Sequence, residues 1–155
     1  MPSSESDRRE KAPRPANGAC ILLYDGECGL CQRAVRWMVR HDPREHLLYA
    51  PQQQPLAAEI VARHSHDPHG TSSAVLVLNY NTPQEKLLLR SNAILGSLGV
   101  FGGRWAILAA VARLVPRVPR DIAYDWLARN RHRLIADGES CTLPTPAERA
   151  RSLDI

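Results

Sequence analysis

Residues Cys20-Ile21-Leu22-Leu23-Tyr24 form an uninterrupted apolar run that stops at Asp25-Gly26 and gives way within four residues to a helical pattern. A strand that is apolar at every position must be covered on both faces of its sheet. Just beyond it, Cys31, Ala34, Val35 and Met38 fall at i, i+3, i+4 and i+7, while Arg33, Arg36 and Arg40 take another face. That spacing predicts an amphipathic helix over Cys28 to Arg40, ended by Asp42-Pro43. The unit that most constrains the fold is therefore a doubly buried strand turning sharply into a helix.

The remaining elements extend it. A short strand is predicted over Leu47 to Ala50, and a helix from Gln54 to Arg63 with Pro55 at its first position. After the polar loop His64 to Ser73, the run Ala74 to Leu78 reads as another buried strand, paired through the turn-rich Asn79 to Gln84 with Lys86 to Arg90 as an antiparallel hairpin. Ser91 is the expected N-cap of a short helix that Gly99 and then Gly102-Gly103 break. Helices over Arg104 to Val115 and from Asp121, as cap, to about Ile135 follow, and Thr145-Pro146-Ala147-Glu148 is a capping box for a last one. The order predicts an α/β domain with a right-handed first crossover and a C-terminal helical extension.

Length and composition fit one such domain. A chain of 155 residues with 44% apolar content supports one hydrophobic core. Residues 1–18 are too polar to fold and are set aside as a mobile tail, leaving residues 19–155 as the domain. No secretory leader is visible, which predicts a cytoplasmic location. The most apolar later stretch, Trp105 to Val115, contains Arg113 and falls short of the ~20 residues of a membrane span. No membrane partner is expected on that ground. Four cysteines are too few for a disulfide-stapled scaffold, so stability must come from packing.

The chemical signal is Asp25-Gly26-Glu27-Cys28-Gly29-Leu30-Cys31. A sulfur at a helix N-terminus meets unpaired N–H groups and the positive end of the helix dipole, so Cys28 is expected as an exposed thiolate with its pKa lowered from the free value of ~8.5. Cys31, one turn later on the apolar face, is placed to attack a mixed disulfide formed at Cys28 and resolve it. A Cys-x-x-Cys at such a junction points to a thioredoxin-like redox site exchanging electrons with a protein or small thiol, with no bound cofactor. Asp25 has two readings: hydrogen bonding to turn N–H groups, or relaying the proton that Cys31 must lose. Half of a structural zinc site is the alternative for the cysteine pair, with His64, His66, His69, Cys20 and Cys141 as donors to complete it.

On Asp25, Cys28 and Cys31 the chain resembles the DCC group of thiol-disulfide oxidoreductase-like proteins, named for Asp-x-x-Cys-x-x-Cys. The likeness extends through Ala50-Pro51-Gln52-Gln53, Arg90-Ser91-Asn92-Ala93, the segment Tyr124 to Arg131, and Cys141 with Leu143-Pro144-Thr145-Pro146. It implies a thioredoxin-like three-layer fold and protein-disulfide oxidoreductase activity. One departure is visible. Thioredoxins carry a cis-proline before the third strand, whereas the corresponding slot here is Thr71-Ser72-Ser73. A non-proline cis bond costs about 2.5–4 kcal/mol, which predicts a trans bond and a differently shaped groove.

Other features have plain readings. Arg129, Arg131 and Arg133, like Arg33, Arg36 and Arg40, read as solvated helix faces, so nucleic acid is not an expected partner. Trp37, Trp105 and Trp126 are taken as packing residues, Tyr24 likewise, and Cys20 as a buried, inert thiol; Cys141 has two readings, burial or exchange with the Cys28 site if the C-terminal segment folds back. A binding module with vestigial thiols stands as the second functional class.

Overall fold

The computed structural model describes residues 15–64, 73–134 and 150–153. Strand β1 (Cys20–Tyr24) is followed by α1 (Gly29–His41), β2 (Leu47–Pro51), α2 (Pro55–Arg63), β3 (Val75–Leu78), β4 (Lys86–Leu89), α3 (Ser91–Phe101), α4 (Gly103–Ala112) and α5 (Arg117–Leu134). The sheet runs β2-β1-β3-β4, with β1 parallel to β2 and antiparallel to β3, and β3 antiparallel to β4. This is a thioredoxin-like α/β fold. The tail before residue 15, the loop holding His66 and His69, the capping box at Thr145 and the whole of Cys141's segment lie outside the described residues.

Alternation along each strand divides two cores between the faces of the sheet. Leu22, Leu47, Tyr49 and Leu76 pack with Val35, Met38 and Val39 of α1 and with Ala93 and Phe101 of α3. Ile21, Leu23, Ala50, Val75 and Val77 face the other way, onto Ala57 and Ile60 of α2. Helices on both faces explain why β1 reads as a continuous apolar run rather than an alternating one. The edge at β2 is covered by the C-terminal residues: Ser152 bridges Tyr49, and the Leu153 N–H donates to the Tyr49 carbonyl at 2.8 Å. Just before them the buried Arg151 pairs with the buried Asp42 at 3.4 Å, whose carboxylate also meets the Leu47 N–H and His46.

Several local expectations are corrected. Ser91 does not cap α3: Arg90 holds the cap position at φ 56°, and the Ser91 hydroxyl instead donates to Asp121 of α5. Gly99 does not break α3, which continues to Phe101 and ends where Gly102 and Gly103 take positive φ values of 74° and 53°. Helix α5 starts four residues before Asp121, because Pro119 falls in its first turn, where an N–H has no partner inside the helix. Trp126 is not a packing residue, being 57% exposed, and Trp37 is 39% exposed while stacking on His41 and meeting Trp105 edge-on. Tyr24 does pack on the core, and Cys20 is half-buried.

Helix α3 lies close enough to the sheet to require a glycine. A Cβ at Gly96 would stand 2.7 Å from Leu76 Cδ2 and 2.8 Å from Leu88 Cδ1, inside van der Waals contact. Both leucines are held by packing, so Gly96→Ala should destabilise the protein by about 1–3 kcal/mol, despite alanine's better helix propensity. A denaturant midpoint that stays put or rises in this variant would show that the helix is free to shift.

Candidate functional site

The dithiol sits where β1 ends. Tyr24 closes the strand, the turn runs through Asp25-Gly26-Glu27, and Cys28 takes the N-cap of α1 with φ −92° and ψ 112°. A thiol fills the place usually held by a serine or aspartate: Cys28 Sγ accepts the N–H of Cys31 at 3.4 Å. The two cysteines are free thiols joined by a side-chain hydrogen bond, so they face one another rather than diverge.

Their exposure runs opposite to expectation. Cys28 is buried, with 3% of its surface exposed, and Cys31 is half-buried. The N-cap geometry turns the Cys28 sulfur inward beneath the first helical turn, where the Cys31 N–H awaits it. The thiol of Cys31 is pushed up to about 12, first by burial, then by its hydrogen bond to Cys28 and the charges of Cys28 and Asp25, with Arg131 acting in the other direction. Cys31 is thus held as the proton-bearing partner of the pair.

Asp25 realises the first of its two readings. Its Oδ1 accepts the Glu27 N–H at 3.0 Å and the Gln53 side-chain amide at 3.0 Å, while Oδ2 lies 3.0 Å from Arg131 Nη1. Gln53 holds the motif with both ends of its amide, its Oε1 accepting the Gly26 N–H at 3.2 Å. Gln32 of α1 donates to the Gly26 carbonyl at 2.6 Å. A Cβ on Gly26 would meet Gln53 Oε1 at 3.0 Å and Pro51 Cβ at 3.1 Å, so this glycine permits the loop after β2 to approach the motif turn. Glu27 is exposed.

Helix α5 closes the other side. Arg131 reaches Asp25, and the Tyr124 hydroxyl accepts the Ala74 N–H at 2.8 Å, just before β3. Burial pushes the Tyr124 hydroxyl up, its hydrogen bond to the Ala74 N–H acts in the other direction, and the charge of Cys31 raises it further. Asp125 pairs with Arg90, and Asp121 with Ser91 and Arg117, fixing α5 against the start of α3. In the slot before β3, Gln52 Nε2 donates to the Ser73 carbonyl at 2.6 Å. No cis peptide bond occurs among the described residues, although Thr71 and Ser72 lie outside them.

Gln53, Arg131 and Tyr124 were not singled out from the residues themselves as site groups. Gln53 and Arg131 look like ordinary polar side chains in sequence, and only the fold brings them to Asp25. For zinc, among the described residues no three of His, Cys, Asp and Glu gather as a ligand set. His64, one of the proposed donors, pairs instead with Glu85 at 2.7 Å.

A dithiol at the N-terminus of the first helix, flanked by a crossover strand, defines a thioredoxin-like thiol-disulfide protein. A family model described as DCC1-like thiol-disulfide oxidoreductase matches residues 22–137, and the chain belongs to that family. It is similar to a DCC family protein of Arabidopsis thaliana described as chloroplastic, 28% identical over 123 residues that make up 79% of this chain and 69% of the relative. It is also similar to the uncharacterized protein YuxK of Bacillus subtilis, 24% identical over 133 residues, 86% of this chain and 93% of that one. No solved structure matches it.

Two outcomes follow from the charges around Cys31. Asp25 raises its pKa and Arg131 lowers it. In a Cys28→Ser background, Asp25→Asn should therefore shift the pH dependence of Cys31 alkylation downward and Arg131→Gln upward; shifts of the same sign would remove both charges from the site. The folded chain also keeps a proton on Cys31 that the unfolded chain releases. Stability should thus fall as pH rises from the ordinary thiol value of 9.0 toward about 12. Urea midpoints across that window should fall less steeply in Cys31→Ser.

Proposed function

We propose that this protein is a thiol-disulfide oxidoreductase in which Cys28 attacks and Cys31 resolves. The observation that carries the reading is the sulfur pair itself: Cys28 Sγ accepts a backbone N–H at the helix terminus, while Cys31 is kept protonated beside it. Family membership supports a thiol-disulfide redox role in general.

The steps balance as ordinary exchange. The Cys28 thiolate attacks one sulfur of a partner disulfide, an S–S bond forms, and the partner's other sulfur leaves as a thiolate that takes up a proton. Cys31 then gives up its proton and attacks Cys28 Sγ, releasing the second partner sulfur. Two electrons pass from the dithiol to the partner, and the protein is left as a Cys28–Cys31 disulfide. A protein or small dithiol running the same steps backward restores it. Asp25 and Arg131 act here as positioning residues, through the proton affinity of Cys31.

The partner's contacts should differ from those of thioredoxin. The Ala74 N–H and Ser73 carbonyl, backbone groups just before β3, are already taken by Tyr124 and Gln52. A partner peptide would have to displace those side chains to pair with that strip, which favours small thiols or partners that dock through side chains. The low cysteine count supports a reducing compartment such as the cytoplasm.

The burial of Cys28 favours one second reading, a binding module whose thiols no longer turn over. Trapping separates the two. Cys31→Ser should accumulate mixed disulfides through Cys28, Cys28→Ser should accumulate none, and a redox titration of the native chain should give one two-electron couple that either substitution abolishes. A Cys28 that forms no mixed disulfide with glutathione or with extract proteins in Cys31→Ser assigns the protein to the binding class.

A further inference from the structure

Helices α4 and α5 carry an apolar surface that the dithiol chemistry does not use. On α4, Ile107, Val111 and Leu114, the last just past its end, recur at i, i+4 and i+7; on α5, Val118, Ile122 and Trp126 recur at i, i+4 and i+8. Each of the six is between 57% and 82% exposed. Isolated exposed apolar residues are ordinary, but two consecutive helices with ridges of this kind mark an interaction surface.

The charge around the ridges narrows what covers them. Residues 103–134 contain seven arginines, two aspartates and no lysine or glutamate. Both aspartates are engaged within the fold, Asp121 with Ser91 and Arg117, Asp125 with Arg90. Arg129 and Arg133 are exposed and prolong the Val118-Ile122-Trp126 stripe at the same helical spacing. Tyr124 and Arg131 leave α5 toward Ala74 and Asp25, so the stripe and the dithiol contacts occupy different sides of one helix.

We propose that the apolar ridges of α4 and α5 lie in the headgroup–acyl boundary of an anionic lipid surface, with Arg129 and Arg133 against lipid phosphates. An apolar stripe bearing tryptophan and continued by guanidinium groups has the pattern of an interfacial helix. A two-fold contact with a second copy would offer Arg129 and Arg133 no free carboxylate from these helices, because both of their aspartates are engaged within the fold. The expectation of no membrane partner rests on the missing span. Indeed, no helix among the described residues is long and apolar enough to cross a membrane. A helix pair lying on the surface needs no such length.

The test is sedimentation of the full chain with vesicles of phosphatidylcholine alone and of phosphatidylcholine mixed equally with phosphatidylglycerol. The protein should pellet with the mixed vesicles and stay in solution with the neutral ones. Ile122→Asp should lower partitioning roughly tenfold or more. Arg129→Gln and Arg133→Gln should each lower it roughly fivefold, with the unfolding midpoint and the dithiol couple unchanged. The double arginine variant decides the matter if Ile122→Asp fails to fold. Absence of pelleting with the mixed vesicles, or pelleting indifferent to these substitutions, overturns the proposal. Dimerisation lost in Ile122→Asp, with no vesicle binding, assigns the face to a second copy instead.

Discussion

Central placement of β1 between β2 and β3 obliges both of its faces to be covered, and that obligation fixes where the dithiol stands. With α1 and α3 on one face and α2 on the other, the strand can end only at the margin of the packed layers. The chain there reverses through Asp25-Gly26-Glu27 into α1, whose first unpaired N–H groups are presented at that margin. Cys28 occupies the one position where a side chain both terminates the strand–helix turn and accepts such an N–H. The reactive group is therefore also a structural cap.

That double duty accounts for the burial of Cys28. The capping sulfur turns back to the Cys31 N–H and is buried there, while Cys31, one turn on, is left half-buried beside it. The motif turn is then held from outside by groups of three origins: Gln53 after β2, Gln32 within α1 and Arg131 from α5. Because the Asp25 carboxylate meets both Gln53 and Arg131, any movement of α5 alters the charge around Cys31 as well as its cover. Helix α5 thus links the redox pair to the exposed apolar stripe on its other side.

The C-terminal residues give the opposite edge a different kind of closure. Ser152 and Leu153 add backbone pairing to β2, which would otherwise present unpaired groups at the sheet margin. Arg151 carries its charge into the protein beside Asp42, whose carboxylate also accepts the N–H of Leu47 at the start of that strand. The end of the chain is in this way tied to the end of α1 and the beginning of β2.

Features that depend on neighbours in sequence were legible without coordinates. The apolar run of β1, the 3.6-residue stripe of α1, the hairpin of β3 and β4 and the placement of Cys28 and Cys31 at a strand–helix junction all follow from local pattern, because a strand period and a helix period each need only a few consecutive residues to declare themselves. Of the boundaries that failed, Ser91 and Asp121 gave their side chains to one another across the fold, while Pro119 opened α5 a turn before Asp121. The remainder was decided by the fold alone. Gln53 meets Asp25 across 28 positions of sequence, and Tyr124 meets Ala74 across 50. The inward turn of Cys28 and the outward exposure of Trp126 were likewise settled by which surfaces the sheet and helices left to cover, a quantity that no stretch of sequence contains by itself.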